Sequence, residues 1–141
     1  MKVSHILTQK GNVVFTIGPQ SNVFEALQLM ADKNIGALVV QEEGRLKGIF
    51  SERDYARKIV LLNRNSTDTL VQEIMTTNVI TVTPNETVDN CMALMSDKKF
   101  RHLPVVDGGE IVGLISISDI VRAIIERQKE TIDHLQSYIA G

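Results

Sequence analysis

Gly48-Ile49-Phe50-Ser51-Glu52-Arg53-Asp54 decides the reading of this chain, because sixty-five residues later it returns as Gly113-Leu114-Ile115-Ser116-Ile117-Ser118-Asp119. Glycine, a short apolar run, serine, two variable residues and aspartate keep the same spacing. Sliding the sequence by that offset extends the match without a gap from Val14 to about Ile59. Thr16 meets Thr81, Pro19 meets Pro84, Leu29-Met30 meets Leu94-Met95, Asp32-Lys33 meets Asp97-Lys98, and Arg57 meets Arg122. Upstream, Val3 to Leu7 resembles Val71 to Met75 if the first copy carries a few extra residues near Gln9-Lys10-Gly11. A repeat of this length is one supersecondary unit that cannot bury its apolar face alone.

Working outward, each copy predicts the order strand, helix, strand, strand, helix. Val3–Leu7 reads as a short amphipathic helix, Gly11-Asn12 as a break, and Val13–Ile17 as a β-branched strand. Asn22, three residues before Glu25, marks a helix start, and Val23, Ala26, Leu27 and Met30 form an apolar stripe along it. Strands at Ala37–Val40 and Leu46–Phe50 flank the turn Glu42–Arg45, and Ser51 opens a helix reaching about Leu62. The second copy predicts a helix at Val71–Met75, a strand at Val79–Val82, a helix at Val88–Asp97, strands at Leu103–Val106 and Ile111–Ile115, and a last helix from Ser118. The turn Asp107-Gly108-Gly109-Glu110 has strong hairpin chemistry. These elements divide the chain into a first repeat (1–62), a polar linker (63–69), a second repeat (70–126) and a helical tail (127–141). The tail's apolar residues Ile132, Leu135 and Ile139 require cover from the body or from a second copy.

Composition sets limits. The 141 residues fit one compact domain or two small halves, and 43% hydrophobic with 23% charged residues is ordinary for a globular protein. A net charge of −2 gives no support to sequence-independent nucleic-acid binding, although a local basic patch survives that argument. The single cysteine, Cys91, excludes an internal disulfide and lies on the apolar side of its helix. With no long apolar run at the start or elsewhere, the chain reads as a soluble, cytoplasmic protein without a membrane partner.

Ser-x-x-Asp at a strand-to-helix junction supports two readings. As a capping box, the serine caps the helix and the aspartate reaches back to the serine N–H. As a ligand site, the helix N-terminus offers free N–H groups to phosphate, and the carboxylate accepts from a ribose diol. Ser51 and Asp54 in the first copy, with Arg53 between them, and Ser116, Ser118 and Asp119 in the second, are the candidates. Arg101 and His102 add a guanidinium fork and an imidazole able to reach phosphate or base. The copies are unequal, so the two clefts should differ in affinity. His5, His102 and His134 lack metal-ligand spacing, and no catalytic motif occurs, so neither an enzyme nor a metal site is expected.

These residues resemble the cystathionine-β-synthase (CBS) domain. The resemblance rests on Ile74-Met75-Thr76 with Val82-x-Pro84, on Arg101-His102-Leu103-Pro104-Val105-Val106-Asp107, and on the two Ser-x-x-Asp stretches. In the first copy Thr16-x-x-Pro19 and Ala37–Val40 match, while Val39 stands where the second copy has Pro104. The resemblance covers essentially the whole chain. It implies an α/β fold of two βαββα repeats packed sheet to sheet with pseudo-twofold symmetry, as a stand-alone Bateman module. It further implies clefts for adenine nucleotides (AMP, ADP or ATP, with NAD or S-adenosylmethionine as alternatives), no required cofactor, a homodimer and a regulated protein partner. Within it, Asp54 and Asp119 would hold ribose hydroxyls, Ser51 and Ser116 would contact ribose or phosphate, and Thr16 and Thr81 would line the base pocket. A structural dimerisation module, with both Ser-x-x-Asp motifs acting as caps, remains the alternative.

Overall fold

The computed structural model describes residues 1–11 and 13–140. Asn12 of the expected Gly-Asn break and Gly141 of the tail lie outside the described residues. The first half runs α1 (Val3–Lys10), β1 (Thr16–Ile17), α2 (Val23–Lys33), β2 (Ala37–Glu42), β3 (Arg45–Ser51) and α3 (Glu52–Tyr55), which continues as a π-helical turn over Ala56–Val60. The second half runs α4 (Val71–Ile74), α5 (Val88–Lys98), β4 (His102–Asp107), β5 (Glu110–Ser116) and α6 (Ile117–Ala140).

The duplication is visible in the backbone register. Ala37 pairs with Ser51 as His102 pairs with Ser116, and each hairpin carries a bulge, after Val40 in one and after Val105 in the other. The two sheets approach each other along β3 and β5. One strand is not duplicated. In the first half β1 runs parallel to β2, and the Val39 N–H donates to the Phe15 carbonyl at 3.3 Å. The expected strand Val79–Val82 is reduced to a single bridge from Val82 to Val105. The physical reason is Pro104, which stands at the Val39 position and has no N–H to donate, so the ladder stops there.

Helix starts follow their caps. Asn22 Oδ1 accepts from the Glu25 N–H at 2.8 Å, and Thr87 Oγ1 accepts from the Asn90 N–H at 3.1 Å. The polar stretch 63–69 is not a loose tether. Thr69 is buried, its carbonyl accepts from the Val23 N–H at 2.9 Å, and the Ser66 carbonyl accepts from the Phe24 N–H, so the stretch folds back over the first turn of α2.

Two apolar clusters form the core, and each borrows its leading helix from the other half. Val3, Ile6 and Leu7 of α1 pack with Val88, Cys91, Leu103, Ile115 and Ile120. Val71 and Ile74 of α4 pack with Val23, Met30, Leu38 and Phe50. Burying each such side chain is worth about 1.5–3 kcal/mol relative to exposure. Neither half can therefore complete its core without the other.

The borrowed segments are admitted by equivalent glycines. A Cβ on Gly48 would lie 2.6 Å from the Thr76 carbonyl oxygen, and one on Gly113 would lie 2.6 Å from Leu7 Cδ2. Beside Gly48, Ile49 and Thr76 exchange two backbone hydrogen bonds of 2.9 and 2.8 Å. Beyond Glu126, α6 leaves the body. A bidentate Arg127–Asp89 pair ties it to α5, while Ile132, Leu135, Tyr138 and Ile139 stay more than half exposed.

Candidate functional site

Both Ser-x-x-Asp motifs form the expected caps where a β-strand turns into a helix. At the first, the Ser51 N–H donates to Asp54 Oδ2 at 3.0 Å, and the Asp54 N–H donates to Ser51 Oγ at 3.2 Å. At the second, the Ser116 N–H donates to Asp119 Oδ2 at 2.8 Å and the Asp119 N–H to Ser116 Oγ at 3.1 Å. Both carboxylates are buried, at 7% and 8% exposure. Capping uses one carboxylate oxygen, so it leaves the other free for further work.

The two copies part in what else reaches the carboxylate. Asp54 Oδ1 accepts from Thr76 Oγ1 and from Lys58 Nζ, each at 3.0 Å. Lys58 also donates to the Ile74 carbonyl at 2.9 Å. Asp119 is met by Lys10 Nζ, 2.7 Å from Oδ2 and 2.8 Å from the Leu114 carbonyl, with the Arg122 guanidinium 3.7 Å from Oδ1. Burial pushes the Asp119 carboxyl up, but the Lys10 ammonium and the Ser116 N–H outweigh it and hold it below the usual carboxylate range. His102 moves below its ordinary value, chiefly because burial disfavours the imidazolium and then because Lys10 repels it.

A cavity of about 690 Å³ opens between the halves. Its size falls within the range of small-molecule sites, roughly 300–1,000 Å³. The first half contributes Gly36, Ile49, Ser51, Glu52, Arg53, Asp54, Arg57 and Lys58; the second contributes Thr76, Val79 and Lys98 through His102. Six basic side chains (Arg53, Arg57, Lys58, Lys98, Lys99, Arg101) face two acidic ones (Glu52, Asp54) in this lining. In a chain of net charge −2 that is a concentrated positive field, suited to a polyanion.

Of the residues singled out in the sequence, Ser51, Arg53, Asp54, Arg101 and His102 come together on this cavity. Ser116, Ser118, Asp119, Thr16 and Thr81 do not line it. Thr16 accepts from the Gln41 side chain at 3.2 Å, and Thr81 and Ser118 are exposed. Lys58, Thr76, Phe100 and Lys10 escaped sequence reasoning as site residues. The extra residues at Gln9-Lys10-Gly11 were the available signal for Lys10, since they lengthen α1 to eight residues against four in α4.

Two equivalent halves, one with its full βαββα order and the other with its first strand reduced to a bridge, each ending a strand in Ser-x-x-Asp, define with the cleft between them a tandem CBS-domain pair. The CBS domain family model matches residues 3–61 and 71–126, and the chain belongs to that family. It is 43% identical over 124 residues to the mitochondrial CBS domain-containing protein CBSX3 of Arabidopsis thaliana, a match covering 84% of this chain and 60% of the longer plant protein. A CBS-domain protein from Burkholderia ambifaria MC40-6 superposes with a TM-score of 0.86 at 46% identity, covering 91% of this chain and 96% of that one. The CBS domain pair of protein MJ0100, solved in complex with 5′-methylthioadenosine and S-adenosyl-L-methionine, gives a TM-score of 0.78 at 32% identity, over 88% of this chain and 99% of that one. Among the described residues, no helix is long and apolar enough to cross a membrane.

Proposed function

We propose that the chain is a regulatory module that binds an adenine nucleotide in the cleft between its CBS repeats and passes ligand occupancy to a protein partner. The observation that carries this reading is the single cavity that joins the Asp54 carboxylate to six cationic side chains. A buried, preorganised carboxylate suits a ribose diol, and the basic rim suits phosphate. Asp54 would accept from the ribose hydroxyls, while Arg53, Arg57 and Arg101 would hold phosphate. His102, neutral at pH 7 by its lowered pKa, would donate or accept one hydrogen bond at a phosphate or base edge. The adenosine ligands of the MJ0100 pair support the nucleoside half of this assignment, and AMP or ATP fits the basic half better than an uncharged nucleoside does. The exposed apolar stripe of α6 supports a homodimer as the working form.

The test is a calorimetric titration with AMP, ATP, NAD and S-adenosylmethionine, repeated on Asp54→Asn. The variant keeps the side chain's shape and should weaken adenine-ligand binding about 10- to 100-fold, the loss of charge-assisted bonds worth ~1.5–3 kcal/mol. Unchanged affinity would remove Asp54 from the site. No binding of any of the four would leave both motifs as helix caps in a dimerisation module.

A further inference from the structure

The body covers one face of α6, and only over its first part. Ile120, Ala123 and Ile124 pack into the core of the second half, and Arg127 pairs with Asp89. From residue 128 to residue 139 every side chain is exposed. A helical stretch of that length draws little stability from propensity alone, because packing of an apolar face supplies most of it.

The residues that could supply such a face are in register. Val121, Ile125, Gln128, Ile132, Leu135 and Ile139 follow one another at alternating spacings of four and three. That is the seam of a coiled coil, with Ile125, Ile132 and Ile139 at position a and Val121, Gln128 and Leu135 at position d. Its five apolar members are 41–83% exposed, so the seam lies open from Val121 to Ile139. β-Branched isoleucine at a with leucine at d suits two parallel helices. The polar members of the helix agree on that direction. In a parallel, in-register pair Gln128 meets its own counterpart, and two carboxamides can hydrogen-bond each other. Lys129, at position e, then lies beside Ile124 at position g of the other helix. An antiparallel pair with the same seam centred would set Gln128 against Ile132 and Lys129 against its own counterpart. That leaves an amide without a partner and opposes two ammonium groups.

We infer that α6 pairs in parallel with α6 of a second copy along this seam, with Gln128 fixing the register. The inference specifies the homodimer proposed above and does not depend on the nucleotide.

Sedimentation equilibrium on the full-length wild type, Ile132→Asp, Leu135→Cys and Ile132→Asp/Leu135→Cys tests it, with circular dichroism confirming that each variant is folded. The wild type should be a dimer, and Ile132→Asp should raise the dimer dissociation constant at least tenfold. Leu135→Cys should form a cross-linked dimer on mild oxidation, and the double variant should not. The buried Cys91 does not contribute. An increase below tenfold in Ile132→Asp overturns the seam and moves the dimer contact elsewhere, with exposed Val60, Leu61 and Leu62 as the next face. A dimer sensitive to Ile132→Asp that fails to cross-link through Leu135→Cys overturns the parallel pairing. A monomeric wild type overturns the coil and the homodimer reading together, while adenine-nucleotide binding is tested separately by titration.

Discussion

Gly48 and Gly113 occupy equivalent positions, yet replacing them with alanine should have unequal consequences. In Gly48→Ala the new methyl would lie 2.6 Å from the Thr76 carbonyl oxygen, a backbone atom held by two hydrogen bonds to Ile49. It cannot move without breaking them. Overpacking strain of about 1–3 kcal/mol adds to hydrogen bonds worth ~0.5–1.5 kcal/mol each. The lower entropy of the unfolded alanine chain returns about 0.4–1 kcal/mol. The net loss is roughly 1–6 kcal/mol, which for a chain of this length is on the order of 10 °C in Tm. In Gly113→Ala the obstacle is Leu7 Cδ2, the far end of a side chain that can change rotamer, so the net cost is about 0–1 kcal/mol. Urea unfolding followed by circular dichroism, with unchanged m-values, would measure both. Equal losses, or a larger loss for Gly113→Ala, would refute the reasoning that a fixed backbone contact and a yielding side-chain contact differ. Gly48→Ala should also weaken nucleotide binding, because displacing Thr76 removes its bond to Asp54.

Two further predictions concern buried groups. The Asp119 pKa is lowered from 3.8 in the folded chain, so its stabilisation is complete above that value and disappears as pH falls through the lower folded value. Urea midpoints measured between pH 2 and 5 should therefore fall less steeply in Lys10→Met than in wild type; parallel curves would deny the Lys10 pair its role. Cys91 is fully buried and its thiol is pushed up to about 11, chiefly by burial, so it should react with a thiol reagent only at the rate of global unfolding. Rapid labelling of the native chain would contradict that burial.

The repeat, the hairpins and the capped helix starts were legible in the sequence because each is a local pattern. Asn22-x-x-Glu25, Asp107-Gly108-Gly109-Glu110 and Ser51-x-x-Asp54 all name their structure within a few residues. Placement across the molecule was not legible. The stripe of Val3, Ile6 and Leu7 says that α1 is buried, but periodicity does not say against which half, and adjacency suggests the wrong one. For the same reason Arg101 and His102 could be singled out by residue type while their position opposite Asp54 could not. The shortened strand at Val82 was foreshadowed by Pro104, whose missing donor counts only once its neighbour is known. Lys10 became a site residue through the length of α1, which the repeat alignment marked as an insertion without giving its direction.

The exchanged leading helices also impose an order on synthesis. Val3, Ile6 and Leu7 emerge first, but their partners Ile115 and Ile120 are made more than a hundred residues later. At roughly 5–20 residues per second, α1 waits on the order of 5–20 s for its place. The first half waits as well, since Val71 and Ile74 close its core only after the polar stretch has been made. A nascent chain halted near Leu62 would thus present an unpaired apolar helix together with an unfilled core, two features that chaperones and proteases bind. Completion of the second repeat is the event that hides both.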